Sequence, residues 1–314
     1  MSQMVDLNVL SLDDLHHHLF RVEPGRDQLR RLARLAWDED LGQGDLTSWL
    51  TIPAEACVRA DLRSREVGVL GGISPLADVL HVLVPEVTFE AYARDGDAVE
   101  PTQVLATLAG PARSVLAVER LMLNLLGRLC GVATLTRAFV RAIGASRAGI
   151  YDTRKTTPGL RRFEKYAVRC GGGRCHRLGT DDAVLIKDNH LANVPRAELG
   201  AWVRRAAIAA RSMPVRFVEV EVDRLDQFEA VLREAADVID IVLLDNMPTP
   251  MLAEAVAMRD RLARRVMLEA SGGVHLKTVA DIAMTGVERI SAGALTHQAV
   301  SLDLGLDLVE GGKL

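Results

Sequence analysis

The sequence predicts an α/β protein in two parts, an N-terminal domain of helices and a mixed sheet followed by an open, incomplete α/β barrel. Three observations carry this reading. The second half alternates six short apolar runs with mostly helix-like stretches, the pattern of a parallel sheet with crossover helices. Each run ends in a polar or glycine-rich cluster. The first third has another texture, with short alternating runs cut by turn signals. The 314-residue chain, 49% hydrophobic and only 4% aromatic, has enough aliphatic surface for a large core.

Taken in order, Asn8 to Leu35 has helical periodicity, with Ser11 and Asp14 spaced as a helix-opening cap. Asp40 to Thr47, DLGQGDLT, reads as a glycine-punctuated loop. From Ala60 to Leu108 come strands separated by turns at Arg94-Asp95-Gly96-Asp97 and Ala109-Gly110-Pro111. Ser114 to Ile143 reads as a helix pair, with Arg120 and Asn124 four apart on one face.

Barrel strands are expected at Gly149–Tyr151, Ala183–Ile186, Val215–Val222, Ile239–Leu244, Arg265–Leu268 and Arg289–Ala292. Six strands in about 150 residues are too few to close an eightfold barrel. Parallel strands open their C-terminal ends on one face, so the end clusters converge. These are Asp152 with Arg154 and Lys155; Lys187 with Asp188 and Asn189; Glu219 and Glu221; Asp245 and Asn246; Glu269 with Ser271, Gly272 and Gly273; and Ser291 with Gly293.

Chemistry concentrates between Asp152 and His190. Nine Lys and Arg face five Asp and Glu there, in a chain whose net charge is -4. Such a local inversion points to a ligand carrying several negative charges. Ser271–Gly273 and Ser291–Ala294 each follow a strand and precede a helix, where backbone N–H groups receive phosphate. Glu221 and Asp245 are hard oxygen donors suited to magnesium bridged to a substrate rather than caged. His176 and Arg177, after three glycines, suit an anion. Lys187 ends an apolar strand and points to a phosphate or carboxylate, or to a Schiff base with a carbonyl substrate.

Other classes are disfavoured. One short basic island in an acidic chain is not a nucleic-acid footprint. No apolar stretch approaches the roughly 20 residues of a membrane span. The opening MSQMVDLNVLSLDD lacks a basic region followed by an apolar run, so the cytoplasm is the expected compartment. Cys57, Cys130, Cys170 and Cys175 form no CxxC pair and are expected to be reduced, structural thiols. His16 to His18 lie in the opening helix and are not expected to bind metal.

The motifs DTRKTTPGLR, EKYAV, GGGRCHR, LIKDNH, EVEV, LLDN, EASGG and GALTH, with EDLGQGDLTS, SREVGVLGG and ERLMLNLLGRLCGVAT ahead of them, resemble the quinolinate phosphoribosyltransferase family across nearly the whole chain. The resemblance implies a type II phosphoribosyltransferase-like fold. Residues 1–119 would form the N-terminal mixed α/β domain, completed by 298–314, and 120–297 the open barrel. It implies transfer of phosphoribosyl from phosphoribosyl pyrophosphate to quinolinate with decarboxylation, giving nicotinate mononucleotide, pyrophosphate and CO2, with Mg2+ as cofactor. It implies a homodimer, with a hexamer as a further assembly, in which Arg120 reaches the neighbouring subunit's site.

By the same resemblance, Arg154, His176 and Arg177 contact quinolinate, Thr153 is a further substrate-binding residue, and Lys155 and Lys187 lie near the dicarboxylate and phosphoribosyl pyrophosphate. Glu221 and Asp245 flank the ribose hydroxyls and magnesium, while Ser271, Gly272, Gly273, Ala292, Gly293 and Ala294 hold the 5′-phosphate. Lys155, Lys187, Glu221 and Asp245 are the expected catalytic groups. Departures from the family pattern are Cys130 for serine, Thr180 for leucine, and Ser64 and Gly71 for alanine. The alternatives are a paralogue acting on another heteroaromatic acid, or a Schiff-base lyase using Lys187.

Overall fold

The computed structural model describes residues 5–309. Residues 310–314 of the expected completing segment lie outside that range. Twelve strands occur among the described residues: β1 Cys57–Ser64, β2 Gly68–Val69, β3 Thr88–Ala91, β4 Ala98–Val99, β5 Val104–Pro111, β6 Gly149–Tyr151, β7 Val184–Ile186, β8 Val218–Val222, β9 Ile241–Asp245, β10 Met267–Ser271, β11 Arg289–Ser291 and β12 Leu304–Leu308. The chain divides into two compact units.

The first unit holds residues up to Val9, Ala138–Lys155 and Gly173–His297. Its six strands run in the order β6-β11-β10-β9-β8-β7, and all their pairings are parallel. No ladder among the described residues joins β6 to β7, so the barrel stays open. Helices Leu199–Arg211, Leu225–Ala235 and Thr249–Leu262 make the crossovers that parallel pairing requires. Strand interiors such as Val220, Val242, Leu244 and Leu268 are fully buried.

The second unit holds Leu10–Arg137, Thr156–Gly172 and the chain from Gln298 onward. Its main sheet has the order β12-β1-β5-β3 and is antiparallel throughout, not mixed as expected. Alternation in β1 buries Val58, Ala60 and Leu62 against Leu76, Leu105, Leu108, Met122 and Leu126. The strand β12 supplies the edge, pairing Leu306 with Leu62 and Leu304 with Ser64.

Three local expectations are corrected. Ala109-Gly110-Pro111 is no turn but the end of β5, where Pro111 pairs with Cys57 and Gly110 lets the strand pass 3.1 Å from the Glu86 carbonyl, measured from where a Cβ would stand. The expected helix pair is one 31-residue helix, Ala112–Ala142. Gly131 lies inside it, where a Cβ would collide with the Val300 carbonyl. The opening helix is interrupted: Ser11 caps Leu12–His16 through the Asp14 N–H, a π-helical turn spans His17–Arg21, and a new helix runs Gly25–Leu41.

The observed units change at His297/Gln298 as the expected division does, but they differ from its cut at 119/120. Helix Arg161–Cys170 belongs with the antiparallel sheet because Phe163 and Tyr166 stack on Phe20, with centroids 4.6 and 5.8 Å apart, and Tyr166 donates to Asp95 at 2.9 Å. The residues before Leu10 belong with the barrel because the Asn8 side chain bonds both the N–H and the carbonyl of Cys175, at 2.7 and 2.9 Å. Contacts remote in sequence decide both.

Two departures from the family pattern touch each other. The buried Cys130 thiol accepts the Gly71 N–H at 3.5 Å, and a Cβ on Gly71 would come within 2.9 Å of Ala133. The larger sulfur and the missing methyl compensate in volume. Burial pushes the Cys130 thiol up to about 12 and raises Cys170 as well, so both are inert packing groups.

Candidate active site

Parallel pairing sets the order of groups along the barrel rim. From one edge to the other the strand ends carry Asp152–Lys155, Ala292–Ala294, Ser271–Gly273, Asp245, Glu221 and Lys187. The two glycine clusters are neighbours, the two acidic residues are neighbours, and Lys187 stands beside Glu221. One ligand lying along this edge meets each kind of group in turn.

The glycine clusters are built for close approach. Gly272 has φ +88, and a Cβ there would collide with the Asn246 side chain, itself in the left-handed region at φ +54. Behind Gly293, a Cβ would lie 2.8 Å from the Lys155 Cδ and 3.1 Å from the His297 Nε2. The hydroxyl of Thr296, wholly buried, donates to the Lys155 carbonyl at 2.6 Å and approaches the Gly293 carbonyl at 3.0 Å. It ties the Lys155 loop to the turn after β11.

Lys187 Nζ lies 2.6 Å from the Glu221 carboxylate. A lysine held this way is a cation in a charged pair rather than the desolvated amine that forms a Schiff base, which counts against the lyase alternative. Asp245 accepts from the Asn246 side chain at 2.7 Å and is only partly buried.

Next to this lies a cationic corner. Arg154 and Lys155 are exposed on the turn after β6, while His176 and Arg177 are 5% and 8% exposed. Burial, and then the charge of Arg154, lower the Arg177 pKa from the ordinary guanidinium value. Two arginines close enough to repel favour an anion between them. The Thr180 loop beside them is shaped by Asp182, whose carboxylate accepts the Leu178 and Gly179 N–H groups at 2.7 and 3.3 Å; Thr180 itself is exposed.

His176 is held from every side. Its N–H donates to buried Asp152 at 2.8 Å, its carbonyl accepts from Arg216 at 3.1 Å, and Phe217 packs edge-on at 5.4 Å between centroids. Nδ1 accepts the Arg177 N–H at 2.7 Å. Nε2 lies 3.0 Å from Glu219 and 3.3 Å from Glu269, both wholly buried. Arg289, 6% exposed, donates to Glu269 at 2.6 Å and stacks 3.7 Å from the Tyr151 ring centroid.

The charges beneath the rim act on one another. Burial alone would lower the His176 pKa, but Glu269 and Glu219 outweigh it and raise it to about 9. An imidazolium carries protons on both nitrogens, whereas the Arg177 N–H requires a lone pair on Nδ1. The Arg177 N–H on Nδ1 assigns the ring the Nε2–H tautomer, and beside it burial and then Glu269 raise the Glu219 carboxyl. Burial raises Glu269, yet His176 and Arg289 together hold it well below the usual carboxylate range.

Family models of the quinolinate phosphoribosyl transferase N-terminal and C-terminal domains match residues 45–130 and 132–307. The chain belongs to this family. It is 43% identical over 285 residues to the nicotinate-nucleotide pyrophosphorylase [carboxylating] of Mycobacterium leprae, covering 90% of this chain and 98% of the relative. With the chloroplastic enzyme of that name from Arabidopsis thaliana it shares 37% over 294 residues, 89% of this chain and 82% of the relative. The crystal structure of NadC from Streptococcus pyogenes superposes with a TM-score of 0.81 at 35% identity, covering 92% of this chain and all of that one. The Francisella tularensis nicotinate-nucleotide pyrophosphorylase superposes with a TM-score of 0.80 at 32% identity, covering 98% and 100%.

Of the residues expected in the site, the structure gathers Thr153, Arg154, Lys155, His176, Arg177, Lys187, Glu221, Asp245, Ser271–Gly273 and Ala292–Ala294 in the barrel unit. Arg120 is exposed on helix Ala112–Ala142 in the other unit. Sequence reasoning missed the supporting roles of Asp152, Thr296 and Arg289 and the depth of Glu219 and Glu269. One signal was readable: in Val-Glu-Val-Glu-Val both glutamates face the same side of β8, so Glu219 lies one layer below Glu221.

Proposed function

We propose that this chain transfers phosphoribosyl from phosphoribosyl pyrophosphate to quinolinate with loss of CO2, forming nicotinate mononucleotide and pyrophosphate for NAD biosynthesis. The observation that carries the reading is the pairing of a dicationic corner, exposed Arg154 with buried Arg177, with two adjacent glycine turns at the ends of β10 and β11. A planar dicarboxylate suits the first, because arginine pairs carboxylates bidentately, and a 5′-phosphate suits the second. Family membership supports the same choice.

Chemistry follows from the placement. Departure of pyrophosphate builds positive charge on the ribose, which Glu221 and Asp245 on adjacent strand ends are placed to stabilise. The pyridine nitrogen forms the new bond to the anomeric carbon and becomes cationic. That cation accepts the electron pair released when the neighbouring carboxylate leaves as CO2, and the ring carbon then takes a proton. Lys187, paired with Glu221, faces the anionic leaving group. Holding both substrates in line supplies much of the rate.

Glu221 and Asp245 fit magnesium of a particular kind. Among the described residues they form no three-ligand cage, and Lys187 already occupies one Glu221 oxygen, so a magnesium ion here would be held largely by substrate oxygens and water. Bound so, it supplies charge neutralisation of the leaving pyrophosphate. Arg120, exposed on its helix, is proposed to complete the neighbouring site in a homodimer. The four free cysteines support a reducing compartment, the cytoplasm.

Mass detection of product from the purified protein, magnesium and phosphoribosyl pyrophosphate, offered quinolinate, nicotinate and other pyridine acids in parallel, tests the reading. Nicotinate mononucleotide from quinolinate alone is expected. Product only from another acid overturns the substrate assignment. Arg120→Ala is expected to weaken quinolinate binding while dimerisation persists, and unchanged affinity sinks the cross-subunit role.

A further inference from the structure

In a parallel barrel the layer beneath the strand ends is ordinarily filled by branched aliphatic side chains. Here it is ionic. Glu219, Glu269 and Arg289 all point to the barrel interior, in register with Ile241, Leu243 and Gly149 on the neighbouring strands. Three buried charges cost too much desolvation to be filler: Arg289 pairs with Glu269, and Glu219 meets the group through His176. Arg289 bonds one oxygen of Glu269, and the other faces His176 Nε2, as does Glu219.

His176 then has no ring nitrogen left over. Nε2 is enclosed by two carboxylates and Nδ1 is capped by the Arg177 backbone. A histidine that met a dicarboxylate substrate would turn an N–H outward, and this one turns both nitrogens to protein. Its neighbour Arg177 has its N–H fixed by that same Nδ1, its guanidinium donates to the Ala183 carbonyl at 3.3 Å, and the charge of Arg154 bears on it.

We propose that His176 is a positioning residue: a strut through which the buried layer of Glu219, Glu269 and Arg289 fixes the backbone and side chain of Arg177 for the dicarboxylate, without itself donating to substrate. The inference rests on the proposed quinolinate reading only for the identity of that dicarboxylate. It departs from the direct contact that family resemblance assigns to His176. It also makes Glu219, Glu269 and Arg289 determinants of acid-substrate affinity although none reaches the rim.

Two measurements test it. In histidine-15N-labelled wild-type protein, the His176 ring is expected to show the Nε2–H tautomer, identified by the signal lost in His176→Gln, and to keep it when quinolinate is added. An Nδ1–H or doubly protonated ring, or a proton transferred or newly bonded on quinolinate addition, overturns the strut. In steady-state kinetics, Glu269→Gln is expected to raise KM for quinolinate about tenfold or more, the scale of a misplaced contact, with KM for phosphoribosyl pyrophosphate near wild type. Glu219→Asp, which keeps the charge, is expected to be milder than Glu219→Gln. An unchanged quinolinate KM in both Gln variants, or equal rises in both substrates' KM, refutes the positioning role. Should Glu269→Gln fail to fold, the tautomer measurement on wild type decides alone. Should wild type ignore quinolinate, the substrate reading fails while the tautomer still reports on the strut.

Discussion

The two sheets bury their inner faces equally well and fill them with opposite chemistry. Behind β1 and β5 lie Leu62, Leu76, Leu105, Leu108, Met122 and Leu126, wholly enclosed and apolar. Inside the barrel, at the same depth, lie Glu219, Glu269, Arg289 and His176. Aliphatic packing is non-directional and tolerates small adjustments, so it suits a unit whose task is to be stable. Ion pairs and hydrogen bonds specify angles, so they suit a layer on which other groups must be aimed. The difference teaches that burial alone does not measure stabilisation: the ionic layer exchanges stability for orientation.

Substitutions sharpen that contrast. The largest effect is expected from Glu269→Ala, which strands Arg289 without its partner and should cost about 3–5 kcal/mol in denaturant unfolding, together with quinolinate turnover. Replacing Leu108 by alanine in the apolar core should cost about 2–5 kcal/mol through the lost contacts and the cavity, but the folded fraction should turn over at the wild-type rate. If Leu108→Ala impaired kcat while Glu269→Ala spared it, the contrast between the two interiors would be reversed.

A pH series separates the layers next. Glu219 holds its proton more tightly in the folded protein than in the unfolded chain, because burial and then the charge of Glu269 raise its carboxyl. A raised group contributes fully below its unfolded pKa and loses that contribution as pH rises through the folded one. The melting midpoint should therefore fall as pH rises above the ordinary carboxylate value of 4.5, and Glu269→Gln, which removes one cause of the shift, should flatten the slope. An equally steep slope in that variant would place the titrating group elsewhere.

Smaller effects come from the periphery of each layer. Thr296→Val removes the hydroxyl between the Lys155 and Gly293 loops and should cost about 1 kcal/mol of stability, with KM for phosphoribosyl pyrophosphate rising and KM for quinolinate less affected. Thr296→Ser should restore it. Asp237→Asn, which breaks an exposed pair with Arg204, should leave melting and kinetics unchanged, because water screens such charges.

Much of this was legible beforehand because its signals are local. Each of the six barrel strands overlaps its expected run, since β-branched and aliphatic runs between polar clusters have few other uses. The rim groups were legible for the same reason: a strand's C-terminal residue must lie at the barrel mouth whatever its neighbours are. Illegible were Ala109-Gly110-Pro111, a strand end that reads as a turn, and the single helix through Gly131, which reads as a helix pair. Both glycines serve a chain segment distant in sequence, Glu86–Val87 in one case and Val300 in the other. Helix Arg161–Cys170 was likewise assigned to the barrel by sequence order, and its aromatic partners placed it with the antiparallel sheet.

By itself, then, the sequence determined the alternation of strands and helices, the open parallel sheet, and which charged and glycine-rich groups stand at its rim, because period, turn chemistry and strand polarity act over a few residues. Only the tertiary structure decided the strand order that puts Glu221 beside Asp245 and one glycine turn beside the other. It alone turned both ring nitrogens of His176 toward protein, because the pairs Arg289–Glu269, His176–Glu219 and His176–Glu269 join segments that are tens of residues apart in the chain and become neighbours only when the sheet forms.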